Sequence, residues 1–566
     1  MFLPVVLVFL FNVSANLLNL YKASYDAYTH VFFASHYMCS WFDLWETRWY
    51  GGFPITSYPP LIHQLMALVG LFNGNLVDGA EIAYQLLCIL SAPLFVFSMY
   101  KAALIFLDKT EAKYVAGIAS LLPSLYLTLY VYGQLPTIYA SSFSFLAAYT
   151  LYRFLQTGKI MNLAYTSLLS VLVASSHHFT FVFFYPIVLA LTLIRAWKSE
   201  GNFKSILKRL ILAFFVSAIP VLIVMEPFFE FVFRAPFQVE IPHATRLNIF
   251  ADYSHSLLFF WGIYGFTVAL IPVAFLIARK RTELYPLLEA FSVLFIMGLG
   301  GVAPIPKAVL GNLWYILTYD RFAVWASFLF IYFLGMMLKD AGQIMEKYSK
   351  PEIKVPSKLD RKTLKAGLLL SLAASSVFTL SFNWFLTPQP IPEPILQEVG
   401  EFLDKNEGYR YVTFGLGPSF MKLSAMCSAE TIDGGYNSAR QLKVLVNSGV
   451  ERIDNAKFFM NATGFLDALL DESNSTAFGI KWVIVADKFY KAILMKHGYR
   501  KMNTLRSDPT IEIWTKDSVT MNETPHRENF NQYQVAVWGF GPISTLTAVA
   551  IIYIGSLLKY DEKTRR

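Results

Sequence analysis

The chain opens with MFLPVVLVFLFNVSANLLNL at residues 1–20 and continues YKASYDAYTH at 21–30. The first twenty residues carry no charge. About 20 apolar residues cross a bilayer core, so this run reads as a membrane span. It has no basic leader and no small-residue cleavage site, which predicts an uncleaved first span rather than a signal peptide. Asp26 stands directly behind it, an acid at the edge of the lipid.

Outward from this span the pattern repeats. The chain has 566 residues, 55% hydrophobic and only 15% charged, where soluble domains carry about 25% charge. Apolar runs at 2–20, 82–106, 113–131, 136–153, 161–176, 178–194, 210–226, 257–278, 285–303, 321–338, 365–384 and 534–558 predict a mainly α, polytopic membrane protein of about 12–13 spans. The extra candidate is 59–72. It is too short for a comfortable crossing and reads as interfacial or re-entrant; the alternative is that it spans and the helix count between 82 and 176 is off by one.

The net charge of +8 does not point to nucleic acid, because the basic residues sit in short loops between spans. Arg195, Lys198, Lys204, Lys208 and Arg209 form one group. Arg279, Lys280 and Arg281 form another, 339–365 a third, and the tail from Lys559 a fourth. The positive-inside rule sends all four to the cytoplasm, with the C-terminus. It leaves 21–57, 132–137, the 175–178 region and 227–256 on the extracytoplasmic side.

Three units follow. Residues 1–387 form the multi-span domain with its first outer loop at 21–57. Residues 388–533 read as an extracytoplasmic α/β domain, with strands near 409–414 and 481–485 and helices near 394–405 and 463–472. Residues 534–566 are the last span and a basic tail. Asn461, Asn474 and Asn522 open glycosylation sequons compatible with an exterior domain. Cys88 reads as a packing residue, and Cys39 and Cys427 as free thiols.

The chemistry concentrates in the first outer loop. Asp26 and His30 are spaced to share a helix face. A carboxylate there can take a proton or hold a divalent cation. The plainer alternative is a solvated charge at a helix end. Trp41, Trp45 and Trp49 recur every four residues beside Glu46 and Arg48, the pattern of an amphipathic interfacial helix. They suit either an aromatic belt or a platform for a sugar or lipid head group. Gly51, Gly52 and Pro54 then turn into Tyr58-Pro59-Pro60-Leu61.

Elsewhere, His177 and His178 sit at the outer end of a span, where ionisable groups mark a site unless water or backbone satisfies them. Gln134 lies in an outer turn. Asp252 and His255 share a spacing that lets them face one pocket in the 227–256 loop, itself long enough to bind or cover. Arg321 begins a span, suited to a lipid phosphate through its planar fork or to snorkelling beside Asp320. No Walker loop, dinucleotide fingerprint or G-x-S-x-G elbow is present in the sequence.

The acid behind the first span, the aromatic loop, the G-x-P turn and the YPPL segment together resemble the C-type membrane glycosyltransferases, which use polyprenyl-phosphate-linked sugars. The layout also resembles a prokaryotic membrane family labelled 6-pyruvoyl-tetrahydropterin synthase-related. The zinc-binding histidine cluster of the soluble pterin enzymes is missing from the sequence. The C-type resemblance covers 1–340 in layout and about 35 residues in motif. It implies Asp26 as catalytic base or metal ligand, with Mg or Mn the cation in question, and Arg321 on the donor phosphate. By their own placement on the outer side, His30 joins Asp26 as a catalytic candidate, and Trp45, Glu46, Arg48, His177, His178, Asp252 and His255 are candidates to bind the substrates. A glycan, lipid or protein would accept the sugar. The WWDYG motif of the oligosaccharyltransferase members is missing, which disfavours transfer to protein asparagine. A non-enzymatic transporter or flippase of a lipid-linked glycan is the rival reading, though no sequence repeat supports it.

Overall fold

The computed structural model describes all residues except 1, 74–75, 201–202, 248–253, 255–256, 316, 349–360, 521–526 and 566. All twelve apolar stretches fold largely as helix. Yet among the described residues only seven helices are long and apolar enough to cross a membrane alone. A bent pair, Lys109–Ala119 and Pro123–Val131, would make eight. The expected count of 12–13 treats every apolar run as equal. Phe2–Leu17 and Ile160–Ser176 are short, and Tyr285–Gly298 has only 14 residues. The 59–72 segment folds as the short helix Leu61–Gly70 and its following turn, which is too short to cross.

Helix Leu76–Phe106, 31 residues long, packs between Phe2–Leu17, Leu135–Thr157 and Lys109–Ala119. Polar groups inside such a bundle must find partners within it. The Asn16 amide accordingly donates to the Tyr130 hydroxyl at 2.8 Å, and that hydroxyl donates to Asn12 Oδ1 at 2.8 Å. The last helix, Gln532–Arg565, is tied to the start of the chain. Its Trp538 indole donates to Tyr37, its Trp538 carbonyl accepts from Gln64, and its Gly539 carbonyl accepts from the Trp41 indole.

The one larger sheet among the described residues holds strands β3 (Arg410–Phe414), β4 (Ile480–Val485), β5 (Arg500–Thr504) and β6 (Glu512–Thr515), in order β3-β4-β6-β5. β3 and β4 run parallel and the other pairs antiparallel. β1 (Trp45–Glu46) and β2 (Phe53–Pro54) form a small hairpin in the first loop. The amphipathic periodicity there predicts a helix through Trp41, Trp45 and Trp49. The helix instead ends at Ser40. Tyr50, Gly51 and Gly52 all take positive φ, and that reversal folds the chain back as a hairpin. Trp49 is then buried flat on Phe32, with ring centres 3.6 Å apart.

The sheet unit docks on this hairpin. Thr431 N–H donates to the Arg48 carbonyl and Gly51 N–H to the Thr431 carbonyl. A buried ion pair adds a second tie: Lys422 Nζ lies 2.6 Å from Glu81 Oε1 on helix Leu76–Phe106 and 3.1 Å from Glu393. Such a pair persists only where further hydrogen bonds support it. Tyr21 supplies one to Glu81 at 2.9 Å.

Candidate functional site

Asp26 directly precedes helix Ala27–Ser40, and its side chain makes no capping hydrogen bond. Its position is set by the backbone: Asp26 N–H donates to the Tyr132 carbonyl at 3.0 Å and Tyr25 N–H to Val131 at 3.1 Å. The neighbouring turn approaches so closely that only glycine fits. A Cβ on Gly133, at φ +76°, would meet Ala27 N at 2.5 Å. Leu127–Val131 is a π-helical turn, a form frequent at functional sites. Thr180–Phe184, directly after the histidine pair, is another.

Burial pushes the Asp26 carboxyl up to about 6, while the Arg321 and then the Arg452 guanidinium pull against it. Gln134 Nε2 lies 3.5 Å from Asp26 Oδ2, at the long limit of a hydrogen bond. Arg321 is laid over the Phe179 ring, 4.8 Å from its centre. Its Nε is buried with no hydrogen-bond partner among the described residues.

Tyr58 forms the middle of the other wall. Its ring centre lies 4.9 Å from Tyr436, 5.1 Å from His63, 5.6 Å from His178 and 5.8 Å from His30. Arg321 and Asp26 both act electrostatically on its hydroxyl. His30 Nδ1 and His63 Nε2 are 3.0 Å apart, and burial pushes the His30 imidazole down to about 3. A neutral pair therefore shares one proton in this contact. His177 ends helix Ile160–Ser176 and bonds Thr180 Oγ1 at 2.8 Å through Nδ1.

The structure thus gathers Asp26, His30, His177, His178 and Arg321. It treats Trp45, Glu46 and Arg48 differently. Glu46 accepts from Arg48 Nε and Nη2 at 2.9 and 2.7 Å, and pairs with His36 Nδ1 at 2.9 Å. Burial would raise the Glu46 carboxyl, but Arg48 and His36 overcome it and hold it well below the usual range. These polar atoms are spent inside the hairpin, and Trp45 packs against Gly52. Asp252 and His255 lie outside the described residues.

Sequence reading passed over His63, Tyr436, Glu451 and Arg452. His63 has only its place in an apolar helix to mark it. The others come from distant loops and carry no local signal. A divalent cation at Asp26 fits poorly. Mg and Mn want several oxygen ligands. No cluster of three His, Cys, Asp or Glu able to hold a metal occurs among the described residues, and two guanidiniums act on Asp26.

No protein-family model and no curated protein matches the sequence. The fold is similar to solved structures. The Archaeoglobus fulgidus oligosaccharyltransferase tethered with an acceptor peptide matches with a TM-score of 0.52 at 12% identity, over 85% of this chain and 68% of that one. Cupriavidus metallidurans ArnT in the apo state matches with a TM-score of 0.52 at 12% identity, over 90% of this chain and 98% of that one. Its structure bound to undecaprenyl phosphate gives 0.51 at 11% identity, over the same shares. These similarities lend nothing to the pterin-synthase label. At such identities they speak to the fold and not to the reaction: this chain is a multi-pass membrane protein with the C-type glycosyltransferase fold.

Proposed function

We propose that the chain is a membrane glycosyltransferase that moves a sugar from a polyprenyl-phosphate carrier to an acceptor hydroxyl on the extracytoplasmic face. The observation that carries this reading is the convergence of Asp26, an Arg321 whose Nε has no hydrogen-bond partner among the described residues, and the Tyr58–imidazole wall. The ArnT structure bound to undecaprenyl phosphate supports a lipid-linked donor. Sidedness is supported by helix Asp320–Tyr348. Arg321 and Lys339 are 18 residues apart on it, about 27 Å. That span is close to a bilayer core of about 30 Å and supports a site on the face opposite the basic loops.

In this mechanism Asp26 takes the proton of the acceptor hydroxyl as its oxygen bonds to the anomeric carbon. The bond from that carbon to the phosphate oxygen breaks in the same displacement, which inverts the carbon. Arg321 stabilises the departing polyprenyl phosphate. Tyr58 and Tyr436 offer faces to the sugar ring, and His30, His177 and His178 orient hydroxyls as neutral donors or acceptors. The sheet unit contributes Tyr436 to acceptor binding.

The test is transfer from a radiolabelled panel of polyprenyl-phosphate sugars in membranes, wild type against Asp26→Asn. A loss of about a hundredfold or more is expected, the scale of a lost general base. Undiminished transfer by the variant would move the base elsewhere. Absence of transfer from every donor would favour a transporter of lipid-linked glycan.

A further inference from the structure

Arg452 belongs to the sheet unit, more than 400 residues after Asp26 in the chain, yet its charge and that of Asp26 act on each other. We infer that Arg452 and Arg321 jointly hold the phosphoryl group of the lipid carrier, so that the sheet unit supplies half of the donor site. The inference rests on the glycosyltransferase reading above and deepens it.

The loop carrying Arg452 is built to hold one shape. Arg440, fully buried, donates through Nη1 to the Val450 carbonyl at 2.7 Å and through Nη2 to the Glu451 carbonyl. Asn455 Oδ1 accepts from Arg452 N–H at 3.1 Å, and its Nδ2 donates to Glu451 Oε2 at 2.7 Å. Asp454 caps the end of β3, accepting from Leu416 N–H at 2.9 Å and Gly417 N–H at 2.8 Å. Its own N–H donates to Asp433 Oδ2 at 2.9 Å, and the Asp433 carbonyl accepts from Tyr50 N–H. A chain of hydrogen bonds therefore fixes the Arg452 loop to the first loop.

Held this firmly, Arg452 is underused. Its guanidinium makes one hydrogen bond among the described residues, a long 3.3 Å contact from Nη2 to Glu451. An arginine serving as an ion-pair partner frequently engages its fork in two parallel bonds, as Arg48 does with Glu46. Arg321 shows a similar deficit, since its buried Nε has no hydrogen-bond partner among the described residues. The long loop joins the two: Val239 N–H donates to the Val446 carbonyl, and Arg246 Nε donates to Leu317. It carries His243, on which Asp320, Glu451 and Arg321 all act.

Glu451, Asp454, Asp433 and Asp26 all act on Arg452, and Asp320 acts with Glu451 on the neighbouring His243. In a region so rich in carboxylates an anion depends on the guanidiniums, so loss of either Arg452 or Arg321 should be felt strongly. A phosphoryl group, with several oxygens, can accept from two planar forks at once.

The experiment uses the full chain in detergent and measures binding of decaprenyl phosphate and, as a control, uncharged decaprenol. Wild type should prefer the phosphate. Arg452→Gln and Arg321→Gln should each weaken the phosphate by about tenfold or more, a change of 1.4 kcal/mol, and leave decaprenol unchanged. Arg452→Lys retains the charge without the fork and should weaken binding by less. It also serves if the glutamine variant unfolds. Wild-type affinity in both Arg452 variants, with Arg321→Gln impaired, would overturn the inference and leave the glycosyltransferase reading intact. No preference for phosphate over decaprenol in wild type would overturn both.

Discussion

Asp26 carries two opposed demands. Burial raises its carboxyl to about 6, and the nearby guanidiniums keep it from rising further. A base works only when ionised, so transfer should fall about tenfold per pH unit below about pH 6 and level off above it. Measured kcat/KM from pH 5 to 8 checks this, and a flat profile would remove Asp26 as the base. The same shift bears on stability. A carboxyl raised from its unfolded value of 3.8 favours folding when protonated, and that contribution is lost as pH climbs through about 6. Asp26→Asn should therefore unfold no earlier than wild type at pH 7, which separates lost chemistry from lost structure. At this scale the sequence was informative. Asp26, His30, Arg321 and the histidine pair are polar residues at span ends, where lipid tolerates them only for a reason. His63 was hidden because one histidine in an apolar helix reads as packing.

Among the elements, the first loop departs most from its sequence pattern. A four-residue tryptophan spacing matches a helix, but three consecutive positive-φ residues at 50–52 impose a hairpin instead. Its stability rests on the Glu46 network. Glu46→Ala would leave Arg48 and His36 facing each other unpaired, and should cost about 3 kcal/mol, read as a lower unfolding temperature in detergent. The turn at Gly133 is the second sensitive element. An alanine there drives a methyl into the backbone beside Asp26. Gly133→Ala should cut transfer by about tenfold or more, since a displacement near 1 Å can cost a hundredfold. Helix formation itself was readable, because every apolar stretch folds as helix. The number of spans was not, because helix length depends on where breaks such as the one between Ala119 and Pro123 fall.

For the molecule as a whole, the question is how firmly the sheet unit is seated. Lys422 and Glu81 are both buried and join it to the membrane bundle. Lys422→Met strands a buried carboxylate and should destabilise by about 3–5 kcal/mol, while Lys422→Met with Glu81→Leu should recover most of that. Thermal unfolding of both variants, with proteolysis of the sheet unit as a second readout, tests the coupling. Equal stability of the single variant and wild type would mean that the hairpin contacts suffice. Composition, the length of the apolar runs and the basic loops were enough to establish a membrane bundle with a polar unit near its end, because lipid excludes charge and each residue reports its own preference. The electrostatic influence of Arg452 on Asp26, and the seating of Tyr436 on Tyr58, arose only in the folded chain. Those contacts join residues hundreds of positions apart, and their geometry depends on backbone bonds between loops that no local pattern encodes.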